Sequence, residues 1–112
     1  MLKQEIEISD ELITKNVTAF AEATKECISL YAKKNHDYGN SFDKGMEIIG
    51  PAYGIGRIYD KINRLNTITK IKQTVTDESI YDTLIDLACY SIMMLAYYKK
   101  EIENKQKQIN FE

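Results

Sequence analysis

The stretch Asp77-Glu-Ser-Ile-Tyr-Asp-Thr-Leu-Ile-Asp-Leu-Ala-Cys-Tyr-Ser-Ile-Met-Met-Leu-Ala-Tyr-Tyr98 decides the fold of this 112-residue chain. It contains no glycine or proline, and its apolar residues follow helical rather than alternating spacing, so it reads as a long helix. Glu78, Asp82 and Asp86 recur every four residues and therefore form one narrow stripe along that helix. Asp86 lies between Ile85 and Leu87, in otherwise apolar company. A carboxylate in such a setting requires a partner, because burying it alone is costly or forces it to take up a proton. The partner is either a basic side chain from another helix or a metal ion.

Outward from this helix, Thr76 is the expected N-cap, and Asp77 and Glu78 suit the positive end of the helix dipole. The helix is expected to reach about Lys105, with residues 110–112 frayed. Upstream, a second long helix is predicted from Asp10 to Lys34, capped by Ser9, with Ile13, Val17, Phe20, Ala21, Cys27, Ile28 and Tyr31 as its buried face. Asn35-His-Asp-Tyr-Gly-Asn-Ser41 breaks it with turn residues, Gly39 being the natural site of positive φ. Ser41 is then expected to cap a short helix through Ile49. Gly50-Pro51 ends that helix and opens the next, predicted over 52–66. Residues 67–76, polar, β-branched and basic, read as a connector. The predicted fold class is all-α: a compact bundle of about four helices, two long and two short, in a single domain over 1–112 with its core at about 9–105.

A composition of 44% hydrophobic and 29% charged residues is that of a folded chain. The formal net charge of −2 argues against general binding to a nucleic-acid backbone, which normally requires a basic excess. The acidic N-terminus lacks the apolar core of a signal peptide, and the run 91–98 falls short of the roughly 20 residues that span a bilayer. A cytoplasmic location without membrane attachment is therefore expected. Cys27 and Cys89 lack CxxC spacing and read as reduced thiols within helices.

Three groups of residues can carry chemistry. Asp82 and Asp86, with Glu78, offer hard oxygen ligands suited to Mg²⁺; the alternative is a helix-capping cluster plus one ion-paired aspartate. Arg57, Lys61 and Arg64 share one helix face and form a candidate phosphate site, with Asp60 beside them; a solvated face with an Asp60–Arg64 pair is the alternative. The loop around Asp37, Tyr38, Asn40 and Phe42 places aromatic and amide groups where a nucleotide base could be stacked and read; a plain turn with a packed tyrosine is the alternative. A lone His36 does not make a transition-metal site.

Three blocks together resemble a known family: Lys34-x-x-Asp37-Tyr38-Gly39-x-Ser41-Phe42, Gly56-Arg57-x-x-Asp60-Lys61-x-x-Arg64-Leu65, and Glu78-Ser79-x-x-Asp82-Thr83-Leu84-x-Asp86-Leu87-Ala88-x-Tyr90. In this order and spacing they are similar to the nucleotide modification associated domain of phages and bacteria. That resemblance implies a nucleotide ligand and a phage or bacterial setting of nucleotide metabolism or DNA modification. A looser similarity links Asp82-Thr-Leu-Ile-Asp86-Leu-Ala-Cys-Tyr90 to the metal-binding helix of all-α, MazG-like nucleotide pyrophosphohydrolases. Those enzymes use a Glu-x-x-Glu pair, whereas this chain has Glu22-x-x-x-Glu26. Three functions are weighed on this basis. One is a Mg²⁺-dependent nucleotide (pyro)phosphohydrolase; another is a non-catalytic protein that sequesters or presents a nucleotide. The third is a helical assembly module. Helices this apolar in a short chain favour a homodimer or larger homo-oligomer.

Overall fold

The computed structural model describes residues 10–38, 40–71 and 77–111, with side chains described for 11–36, 40–71 and 79–109. Four helices follow one another: α1 (Asp10–Tyr38), α2 (Ser41–Ile49), α3 (Pro51–Lys70) and α4 (Asp77–Phe111). There is no strand among the described residues. The expected all-α bundle of two long and two short helices is thus the observed one.

Several boundaries differ from expectation, each for a local reason. α1 continues four residues past Lys34, through Asn35, His36 and their neighbours. The turn lies beyond them, where Asn40 adopts a left-handed conformation (φ 59°) that asparagine tolerates better than most residues. The Asn40 amide donates to the Asn35 side-chain oxygen at 3.2 Å. Asn40, rather than Ser41, occupies the N-cap of α2, and Ser41 is its first helical residue. Gly39 and the predicted caps Ser9 and Thr76 lie outside the described residues.

α3 also outlasts its prediction and reaches Lys70. Its β-branched tail stays helical while the Thr67 and Thr69 hydroxyls donate back to the carbonyls of Asn63 and Leu65, at 3.0 and 2.6 Å. The end of α4 remains helical to Phe111 rather than fraying at Asn110. The Gly50-Pro51 junction is as read: Gly50 takes φ 95°, its amide donates to the Met46 carbonyl at 2.9 Å, and Pro51 opens α3.

α4 is the hub. α3 runs antiparallel to it: Gly54 lies against Met94, Lys61 reaches Asp86, and Arg64 reaches Thr83. The close approach needs glycine, since a Cβ on Gly54 would lie 2.9 Å from the Met94 sulfur and 3.0 Å from that of Met46. α2 is pinned on α3 by Phe42 and Met46, one turn apart and both buried, and tied to α4 by a Lys100–Asp43 pair at 3.3 Å. α1 meets α4 through Cys27 and Cys89, whose thiol donates to the Cys27 carbonyl at 3.8 Å, and through a Tyr81–Glu26 hydrogen bond.

The interior is thin. Among the described residues only Cys27, Phe42, Met46, Gly54 and Thr83 are buried. The face of α1 predicted to be buried is mostly not: Val17, Phe20 and Ile28 are exposed, with Phe20 at 75%. The helical period of these residues is real, but within one chain only the segment near Cys27 finds a helix to pack on. The stretch Ser79–Ile109 of α4 is also long and apolar enough, by length and composition, to cross a membrane, which the shorter run 91–98 had not suggested.

Candidate functional site

A cleft of about 270 Å³ opens where all four helices converge. Its floor is aromatic. Phe42 meets Tyr53 edge-on, with centroids 5.6 Å apart, and Tyr90 at 6.3 Å. Tyr53 is held from behind by the bare backbone of Gly45, where a Cβ would come within 2.5 Å of its ring. Tyr31 and Asn35 from α1 add an aromatic and an amide to the wall.

The rim is cationic and organised around Asp86. Its two carboxylate oxygens are claimed separately, one by the Lys61 ammonium at 3.2 Å and the other by that of Lys34 at 3.6 Å. The partner required by the acid in the apolar helix is therefore a pair of lysines from two other helices. Both oxygens are charge-paired, which lets Asp86 remain half-buried. One turn along α3, the Arg57 guanidinium lies 5.3 Å from the centre of the Tyr53 ring, a cation–π arrangement. Hydrogen bonding to Tyr53 and the charge of that group raise the Arg57 pKa further above its ordinary value.

Of the predicted phosphate residues, Arg57 lines the cleft and Lys61 stands at its Asp86 edge. Arg64 turns away along α4, its Nε donating at 3.3 Å to the buried Thr83 hydroxyl, which itself donates to the Ser79 carbonyl at 2.8 Å. Of the predicted nucleotide residues, Phe42 belongs to the cleft, though as its buried floor rather than an open platform. Asn40 and Asp60 are exposed and do not line it. The side chains of Asp37 and Tyr38 lie outside the described residues, as does that of Glu78.

The acids described do not by themselves fit a Mg²⁺ site. Asp86 already faces two ammonium groups, Asp82 is exposed, and no group of three metal-ligating side chains occurs among the described residues. Sequence reasoning had missed Lys34, Tyr53 and Tyr90 as cleft residues. Lys34 and Tyr90 both stand in the blocks that carry the family resemblance, and that was the available signal. Tyr53 carried none.

Cys89 lines the same cleft beside Asp86. Burial, and then the neighbouring Cys27, push its thiol up to about 11, so it stays protonated and a poor nucleophile at neutral pH.

These features define an all-α domain with a cationic, aromatic-floored cleft. The chain belongs to the family described as nucleotide modification associated domain 1, whose model matches residues 34–97, more than half of its length. The matched span contains every cleft residue from Lys34 to Met93 and omits only Leu30 and Tyr31. No curated protein and no solved structure matches the chain, and the likeness to MazG-like enzymes gains nothing from these comparisons.

Proposed function

We propose that the protein binds a phosphate-bearing nucleotide in this cleft, without needing to cleave it. The observation that carries the reading is the charge balance at Asp86. Lys34 and Lys61 share the single carboxylate of Asp86, and Arg57, which stands over Tyr53 and also feels Asp60, lines the same cleft, so three cations meet two carboxylates in a chain whose net charge is −2. Such an excess beside tyrosine rings matches the two parts of a nucleotide, an anionic phosphate and a flat, polarisable base. A volume of about 270 Å³ lies just below the usual range of small-molecule clefts, which limits the ligand to about one nucleotide unit. Membership of a nucleotide modification associated family supports the same ligand class.

In this reading, Arg57 grips a phosphate through its planar fork while Lys34 and Lys61 supply compact charge. Tyr31, Tyr53 and Tyr90 present the aromatic surface for the base. Asp86 positions both lysines and prevents them from repelling one another.

The test is a panel of nucleosides, nucleoside monophosphates and triphosphates, each titrated with and without Mg²⁺ by calorimetry and thermal shift. Binding that requires the phosphate, survives chelation of divalent ions and weakens with added salt is the expected pattern. Failure of every phosphorylated nucleotide to raise the melting temperature would remove the reading. Release of phosphate or pyrophosphate only with Mg²⁺ would replace it with the hydrolase.

A further inference from the structure

We propose that Asn35 makes the cleft select bases that carry a ring carbonyl over those that carry an amino group at the same position. This rests on the nucleotide reading and narrows it to a class of base.

The carboxamide of Asn35 has one orientation. The Asn40 backbone amide donates to its Oδ1 at 3.2 Å, and a backbone N–H can be met only by the oxygen end of the group. The Nδ2 end, with its two N–H donors, makes no hydrogen bond to a described residue. Asn35 is half-buried in the wall of the cleft, so the part of its amide left for a ligand is a donor. Such a donor requires an acceptor from water or from whatever fills the cleft.

The other polar groups of the lining have the same bias. Both oxygens of Asp86 face ammonium groups, and the Tyr53 oxygen takes a hydrogen bond from Arg57. The Cys89 thiol gives its proton to the Cys27 carbonyl. Among the described residues, the side chains left to meet a ligand are the cations and the Asn35 amide, all donors. The hydroxyls of Tyr31, Ser41 and Tyr90 serve as either. No side chain here is committed to accepting from an amino group.

Position gives this amide the base and leaves the phosphate to the cations. Along the α3–α4 pair, Lys61 and Asp86 stand one turn from Arg57 and Tyr90. The Phe42 ring packs on Tyr90 and Tyr53. Asn35 is fixed, through Asn40, to the start of α2, where Ser41 and Phe42 follow. A nucleotide with its phosphate among the lysines and its ring on the aromatic floor therefore brings its base edge to Asn35. A ring carbonyl accepts from the amide. An amino group in its place sets donor against donor and leaves a hydrogen bond unmade on each side. Uracil and cytosine differ in this way, as do hypoxanthine and adenine, with almost no change in size. Cleft volume therefore cannot produce a preference within either pair.

The test measures Kd by calorimetry on the full chain for uridine and cytidine monophosphates and for inosine and adenosine monophosphates. The carbonyl-bearing member of whichever pair binds is expected to bind about tenfold more tightly, the effect of one hydrogen bond. Asn35→Ala should bring the ratio close to one. Asn35→Asp keeps an oxygen for the Asn40 amide, so the turn is retained, but it replaces the donor with an acceptor. Its ratio should fall to one or reverse, while the added charge weakens both members of a pair alike and cancels. Equal affinity within both pairs, or preference for the amino member, would overturn the selection and leave nucleotide binding intact. A preference that both variants retain would overturn the part given to Asn35. Binding of none of the four would remove the nucleotide reading itself, and this inference with it.

Discussion

Replacing Asp86 with asparagine separates a binding cleft from a metal site, because the two assign opposite signs to the same change. Asparagine keeps the shape and removes the charge that Lys34 and Lys61 share at 3.6 and 3.2 Å. The Asp86 side chain is 28% exposed, so each pair is partly screened and is worth about 0.5–1 kcal/mol. Losing both costs about 1–2 kcal/mol, which for a domain near this size lowers Tm by about 5–10 °C. Phosphate affinity should nevertheless improve. A phosphate held by these lysines would stand about 6 Å from the carboxylate, and removing a like charge at that range in a half-wet site recovers about 1 kcal/mol, or about fivefold in Kd. Calorimetry with a nucleoside monophosphate, alongside thermal melts of the unliganded proteins, reads both quantities. A less stable protein that binds more tightly is the expected result. If Asp86→Asn abolishes binding while leaving the protein folded, the carboxylate itself holds the ligand or its metal, and the assignment of Asp86 to the lysines is wrong.

Other expectations follow from neighbouring residues. Arg57→Ala should weaken phosphate binding by about 1.5–3 kcal/mol, the range for hydrogen bonds to charged groups, with only partial recovery in Arg57→Lys; titration calorimetry measures both. Gly45→Ala should destabilise the fold by about 1–3 kcal/mol, read by denaturant melts, because the new Cβ must displace the Tyr53 ring that floors the cleft. Cys89 should alkylate slowly with iodoacetamide at pH 8 compared with a free thiol, since its pKa is pushed up to about 11. The same shift means the folded form holds its proton more tightly than the unfolded form. That contribution to stability is therefore complete below pH 9 and is lost as pH rises toward 11, and melts across that range in Cys89→Ala should lose this component of the decline.

The helical periodicities of α4 and α3 were legible because three- and four-residue spacings specify a face without any tertiary information. That is why the acid stripe and the Arg57–Lys61–Arg64 face could be named; among the described side chains they meet at one pair, Lys61 with Asp86, while Arg64 reaches Thr83 beside the stripe. The ends of helices were less legible. Asn35 and His36 favour turns locally, and Thr67 and Thr69 disfavour helix interiors, yet both segments remain helical. Threonine hydroxyls bonded to preceding carbonyls satisfy their polar groups without leaving the helix. The aromatic floor was hidden because Phe42, Tyr53 and Tyr90 come from three helices, and no spacing along the chain announces that they meet. The predicted burial of Val17 and Phe20 failed for a related reason. An apolar face reveals that a helix needs a neighbour, not whether its own chain provides one.

The placement of Lys34 on α1 has a consequence for the order in which the cleft comes into being. The α3–α4 pairing closes a short loop: Arg64 and Thr83 are 19 residues apart in the chain. The contacts of α1 with α4 span far more, 55 residues for Glu26–Tyr81 and 62 for Cys27–Cys89. Closing the longer loop costs more chain entropy, and little buried surface on α1 offsets it. The antiparallel α3–α4 hairpin is thus favoured to form first, carrying Arg57, Lys61 and Asp86 in register, with α1 docking afterwards to bring Lys34 and Tyr31. Binding that needs the α1 wall then reports the last step of folding, so a ligand for the cleft doubles as a probe of whether the chain has finished.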